Sequence, residues 1–371
     1  MATEFEIAIS PDYVPDWGVV EAFRELYQNA MDQSATDPSA EMSFEYDEVT
    51  GVVKVSNKDS ELKVNSLLIG KSSKRDDDKT VGKFGEGYKL AVMVLLREGK
   101  EVTIYNNKAG TVWVPKLKES EKYGEVVLSF EVRDHQSNSK DLVFEVKGVT
   151  EEEYAAVVES NLNLQDDVEY IETAEGKVLT SPKHKGKVFV NGLFVCDYEK
   201  YDFGYDFKSD LLRLDRDRKL VSDFDLKWLS SHVWASALND LALSLVKEGS
   251  ADVEYLSAAI SHAIISNGFI DVGFSDFAEA VAKDFYEEYG ASAYPVSDND
   301  EFNRVSKIEG VTPVFVNSEY KNIIKSSSVF REEEYLAVSD PKSRLAYWIE
   351  KYCKCLPDEA VEEFEEILSE I

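Results

Sequence analysis

Glu25, Asn29 and Asp32 lie in the run Glu25-Leu26-Tyr27-Gln28-Asn29-Ala30-Met31-Asp32, at a spacing that puts all three on one face of a helix. A carboxylate and a carboxamide one helical turn apart are suited to hydrolysing a nucleotide. The Asn29 amide oxygen can ligate Mg²⁺, while Glu25 orients and deprotonates the attacking water. The same stretch, taken alone, also describes an ordinary solvated helix face. A second run, Gly82-Lys83-Phe84-Gly85-Glu86-Gly87-Tyr88-Lys89-Leu90-Ala91, sets three glycines ahead of an apolar segment. Glycines there let backbone N–H groups approach phosphates, and the helix N-terminus adds its positive dipole end. A lone glycine cluster is equally a tight turn. The order G-x-x-G-x-G, with no early βαβ unit, excludes the dinucleotide fingerprint, and G-x-x-x-x-G-K-[ST] is absent.

Several elements must position these residues. Apolar residues Val19, Val20, Phe23, Leu26, Tyr27 and Ala30 recur at three- and four-residue intervals, which predicts a helix over 16–33 with Asp16 as N-cap. Alternating stretches at 41–46 and 52–56 predict a hairpin. The polar run from Gly70 to Gly82 reads as a loop, and the segment from Tyr88 to Arg97 as a buried helix. Strands are expected at 101–106, 111–114, 126–132 and 142–146, and a helical piece at 151–160. An alternating segment at 187–195 opens a second region, extended by one long helix over 222–247. Helical patterns at 252–267, 275–289, 339–353 and 357–370 surround a short alternating stretch at 311–316.

The combination of a helix bearing E-x-x-x-N-A-x-D and G-x-F-G-x-G opening an apolar helix resembles the GHKL (Bergerat-fold) ATPases. That superfamily includes gyrase B subunits, Hsp90, MutL and sensor histidine kinases. The resemblance covers about residues 15–150. It implies an α+β fold: an N-terminal Bergerat-type sandwich, with a mostly antiparallel sheet carrying helices on one face. A smaller transducer-like α/β domain and a mainly helical, acidic C-terminal region would follow, giving boundaries of 1–150, 151–249 and 250–371. By resemblance Glu25 is the general base, Asn29 the Mg²⁺ ligand and Asp32 a support of the nucleotide site. Gly82, Phe84, Gly85, Glu86, Gly87 and Tyr88 form the phosphate-binding turn, beneath an ATP lid spanning Gly70 to Lys83.

Within the superfamily, Ile69-Gly70-Lys71-Ser72-Ser73-Lys74 followed by the glycine run looks most like the microrchidia ATPases and the phage rapid-lysis A (rIIA) proteins. In the former, lysines at the positions of Lys74 and Lys89 contact phosphate, and a cation there would offset the charge of ATP. The family's D-x-G-x-G adenine box is replaced by Val55-Ser56-Asn57-Lys58-Asp59-Ser60-Glu61, leaving Asn57 or Asp59 to accept the adenine hydrogen bond. The later family threonine has no obvious counterpart near 141–144. In Leu212-Arg213-Leu214-Asp215-Arg216-Asp217-Arg218, Arg218 first and Arg216 second resemble an Hsp90 arginine that reaches the γ-phosphate, where a cation stabilises developing charge. Alternating acid and base there is also what a salt-bridged surface looks like.

Bulk properties bound the rest. A chain of 371 residues with 43% hydrophobic residues is globular and long enough for two or three domains. A formal charge of −31 repels nucleic acid over most of the surface, so direct nucleic-acid binding is expected only through a local basic loop at Lys71–Lys89. No apolar run and no basic-then-apolar leader suggest a membrane, so a cytoplasmic protein is expected, in a host cytoplasm if phage-encoded. Cys196, Cys353 and Cys355 lack the partners for a tetrahedral zinc site, and His135, His184, His232 and His262 share no metal-like spacing.

The expected activity is therefore a Mg²⁺-dependent ATPase switch, with lid closure and an ATP-dependent homodimer controlling a protein partner. A histidine kinase is not expected, because the ~24 residues before Glu25 leave no room for dimerisation helices. The alternative is a non-catalytic acidic interaction protein, such as a phage-encoded inhibitor or DNA mimic, with a degenerate nucleotide pocket.

Overall fold

The computed structural model describes residues 2–67, 87–209, 211, 222–259, 272–330, 341–352 and 355–370. The protein is α+β, and its chain divides into two compact units, Met1–Asp167 with Gly192–Phe194, and Val168–Asn191 with Val195–Ile371.

The first unit is built on a seven-stranded sheet in the order β1-β6-β5-β4-β7-β3-β2. Its strands are β1 (Thr3–Ile7), β2 (Met42–Asp47), β3 (Val52–Asn57), β4 (Glu101–Asn106), β5 (Thr111–Ser120), β6 (Glu125–Asp134) and β7 (Leu142–Lys147). Every neighbouring pair is antiparallel. Period-two alternation sends Val53, Val55, Val102, Ile104, Trp113, Leu128, Phe130, Phe144 and Val146 to one buried face. Helices α1 (Val19–Thr36), α2 (Gly87–Arg97) and α3 (Glu151–Glu159) share that core through Phe23, Leu26, Val92, Met93, Leu95 and Val157. The opposite face is charged: Glu4 sits 2.9 Å from both Lys116 and Lys118, and Lys54 lies 3.5 Å from Glu145.

Helix α1 starts two residues later than Asp16 would cap it. The Glu21 carboxylate accepts the Gly18 N–H at 2.8 Å, satisfying an otherwise orphan helix donor, and Gly18 is the N-cap. Arg97, at the end of α2, donates to the carbonyls of Pro11 (2.8 Å), Val14 (3.1 Å) and Trp17, tying the segment before α1 to α2.

The second unit carries a five-stranded sheet in the order β11-β10-β12-β9-β8. Its members are β8 (Tyr170–Glu172), β9 (Gly176–Leu179), β10 (Lys187–Val190), β11 (Leu193–Asp197) and β12 (Gly204–Phe207). The alternating stretch at 187–195 is two strands, because positive φ at Asn191 (50°) and Gly192 (80°) turns β10 into β11. The helix expected over 222–247 is likewise two, α4 (Asp223–Ala235) and α5 (Asp240–Glu248); Asn239 caps α5, accepting from Leu241 and Ala242 N–H. A short parallel pair follows, β13 (Ala293–Val296) and β14 (Thr312–Phe315), joined through helix Asn299–Val305.

Residues on both sides of position 250 share one core, from Val178, Tyr205 and Trp234 to Val281, Phe285 and Ile324. The regions expected as 151–249 and 250–371 are joined there by packing, while α3 packs with the first unit. Asp252 is fully buried in this core. It accepts from Asp202 N (2.8 Å), Ser250 Oγ (2.9 Å) and Tyr205 OH (2.5 Å), and Trp234 Nε1 donates to the same tyrosine oxygen at 2.7 Å. Helices Pro341–Tyr352 and Asp358–Glu370 close the described chain.

Candidate functional site

The face of α1 that carries Glu25, Asn29 and Asp32 is turned inward, not solvated. Glu25 is 8% exposed and Asp32 only 2%. Acidic side chains seldom accept such burial without partners. Asp32 accepts a 2.8 Å hydrogen bond from Gln28 Nε2, and its backbone carbonyl accepts from Thr36 Oγ1 at 2.9 Å. Asn29 is half-buried, and its Nδ2 donates to the Glu25 carbonyl at 2.6 Å. The Asn29 side-chain oxygen keeps its acceptor capacity.

The first residue of α2 meets this face. A Cβ built on Gly87 would overlap the Glu25 carboxylate oxygen Oε2 and lie 3.2 Å from Asn29 Nδ2. The two sequence motifs, more than fifty residues apart, therefore converge at one point. A side chain at this position would force the Glu25 carboxylate to move, so glycine preserves the contact.

The residues after Gly87 point into the core. Tyr88 is 8% exposed; its hydroxyl lies 2.9 Å from Ser66 Oγ, its ring packs edge-on to Phe144, and burial pushes its pKa up to about 12. Lys89 is fully buried, and its ammonium donates to the Ser66 carbonyl at 2.8 Å. Ser66 belongs to a short 3₁₀ turn, Val64–Leu67. Nothing in its local sequence singles it out, and it enters the site only through tertiary contact.

Asn57 and Asp59 diverge. The Asn57 side chain is buried beside α1, and its Nδ2 donates to the carbonyls of Ala30 and Ala40, both at 2.9 Å, and to Ser34 Oγ at 3.3 Å. Asp59 has a positive φ of 46° and an exposed carboxylate 3.2 Å from Lys108. The adjoining loop is held by Asn106, whose side chain bonds both the N–H and the carbonyl of Leu62 (3.2 and 2.8 Å). Lys74, Gly82, Phe84, Gly85, Glu86, Arg216 and Arg218, with the basic loop and the Gly70–Lys83 segment, lie outside the described residues.

Among the described residues no group of three His, Cys, Asp or Glu side chains is arranged to hold a metal. No helix among the described residues is long and apolar enough to cross a membrane.

Comparison with known proteins gives three findings. Residues 152–233 match a family described as the Mycoplasma pneumoniae MPN635 N-terminal domain. An uncharacterized protein of Mycoplasma pneumoniae is 23% identical over 214 residues, covering 56% of this chain and 87% of that protein. The crystal structure of the ATPase and transducer domains of DNA topoisomerase II from Balamuthia mandrillaris aligns over 52% of this chain and 67% of that one, at 14% identity and a TM-score of 0.32.

Proposed function

We propose that the N-terminal unit binds a nucleoside triphosphate with Mg²⁺ and hydrolyses it as a switch of the GHKL type. The observation that carries this reading is the convergence of Glu25, Asn29 and Gly87 at the start of α2. A solvated helix face would leave Glu25 and Asp32 in water, and a structural turn would not need a glycine packed on a carboxylate.

In this reading the Asn29 side-chain oxygen ligates the cation and Glu25 takes the proton of the attacking water. The cation would offset phosphate charge. By the resemblance Gly82, Phe84, Gly85 and Glu86 would bring backbone N–H groups toward the phosphates, and Asp32, held by Gln28, would support the nucleotide site. By the resemblance Lys74 would supply further positive charge to the phosphates. Closure of the 70–83 segment and association of two chains would couple occupancy to a protein partner.

The same observations support ATP less directly than they support a triphosphate. The Asn57 amide nitrogen is committed to α1 and to Ala40, which leaves a neutral amide oxygen, in place of the family's carboxylate, to accept from an adenine amino group. The formal charge of −31 favours a second reading, in which an acidic interaction protein retains the nucleotide site as a sensor without turnover. MgATP binding and turnover by the wild type, Glu25→Gln and Asn29→Ala separate the two. Hydrolysis that falls on the order of 10²- to 10⁴-fold in Glu25→Gln, with binding intact, supports the switch. A wild type that binds MgATP without turning it over supports the sensor and overturns the hydrolase.

A further inference from the structure

The 3₁₀ turn Val64–Leu67 meets the start of α2 through three residues, Ser66, Tyr88 and Lys89. Ser66 Oγ lies 2.9 Å from Tyr88 OH, and the Ser66 carbonyl accepts the Lys89 ammonium at 2.8 Å. Lys89 is fully buried and Tyr88 nearly so, and Tyr88 is fixed on its other side by Phe144 of β7. A buried ammonium is costly to leave unpaired, so its bond to the Ser66 carbonyl resists exchange with water. Tyr88 and Lys89 directly follow Gly87, the residue that touches Glu25 and Asn29.

We propose that Ser66, Tyr88 and Lys89 form a clasp that positions the first turn of α2 over Glu25 and Asn29. The proposal rests on the nucleotide-hydrolysis reading for its catalytic consequence, but the clasp itself is a property of the protein without nucleotide. Lys89 then acts as a positioning residue for Gly87 and not as a phosphate ligand. Its ammonium is directed at a backbone carbonyl 23 residues upstream. Holding a reacting group to within a fraction of an ångström is worth large factors in rate, whereas binding is less sensitive to it.

The test uses the full chain as wild type, Ser66→Ala, Tyr88→Phe, the double variant and Lys89→Met. Amide hydrogen exchange of residues 88–95 is followed without nucleotide, and Kd and kcat for MgATP are measured alongside. Each of Ser66→Ala and Tyr88→Phe is expected to speed exchange there by about fivefold, the worth of one hydrogen bond. The double variant should go no further, because both singles remove the same bond. Turnover should fall with Kd held within about twofold, and Lys89→Met should follow the same split. Unchanged exchange in all variants, or a double variant that is fully additive, overturns the clasp. A Lys89→Met variant that loses MgATP affinity with normal exchange overturns its positioning role in favour of direct phosphate contact. If the wild type neither binds nor turns over MgATP, the nucleotide reading fails while the exchange result still decides the clasp.

Discussion

Gly87 lies so close to Glu25 that a single added methyl group would overlap the carboxylate oxygen Oε2. The clash falls on the far end of a flexible side chain, so the carboxylate can swing aside at little structural cost. Gly87→Ala should therefore separate stability from chemistry. Alanine in place of glycine in a helix contributes up to about 1 kcal/mol, so the melting temperature should hold or rise. Displacing the base should lower turnover on the order of 10²-fold. Equal activity in wild type and variant would sink the assignment of Glu25 at this contact.

Asn29 should reveal itself through the cation. In Asn29→Ala, MgATP affinity is expected to fall by about tenfold, while the affinity for ATP with excess chelator barely changes. Titration calorimetry with and without Mg²⁺ checks this, and equal Mg²⁺ dependence in the two proteins would remove Asn29 as the ligand.

Asn57→Asp would put the resembled family's aspartate at one of its two candidate positions, yet the structure makes it unfavourable. Asn57 Nδ2 donates to the Ala30 and Ala40 carbonyls, and an aspartate would replace that donor with negative charge facing both oxygens. The expected loss is about 2 kcal/mol or more, larger than for Asn57→Ala, which only removes the donor. Urea denaturation measures the order of the two; an Asn57→Asp protein as stable as wild type would contradict it.

Glu4 provides a pH signature for the outer face of the sheet. Hydrogen bonds from Lys116, Lys118 and Ser129 lower its carboxyl from 4.5 to about 2. A depressed carboxylate contributes stability that is present above pH 4.5 and lost as pH falls toward 2. Because Glu4 is solvent-exposed, the effect should weaken with added salt. NMR titration should place Glu4 near 2 in the wild type and back toward 4.5 in Lys116→Met with Lys118→Met. An unchanged Glu4 titration in that variant would show that the lysines are not the cause.

Much of the first unit was legible locally. The period of α1 and the alternation of β2, β3, β4 and β7 located these elements to within a few residues, since one face of each is buried in a single core. Short strands such as β8, β9, β12 and β13 carried no comparable signal. They run three or four residues and gain their order from the partners they pair with in the sheet. The break between α4 and α5 was written in Asn239, but a continuous apolar pattern across 222–247 concealed it.

For the site, the sequence alone determined which groups are present: a carboxylate and a carboxamide one turn apart, and a glycine at the head of an apolar helix. Those are properties of residue type and of 3.6-residue periodicity, so they need no knowledge of the rest of the chain. The tertiary structure decided that α1 turns this face inward, that Gly87 meets Glu25, that Asn57 is spent on α1, and that Ser66 receives Tyr88 and Lys89. Each of these depends on which surfaces come to rest against one another, and close packing, unlike local pattern, is fixed only once all the elements are in place.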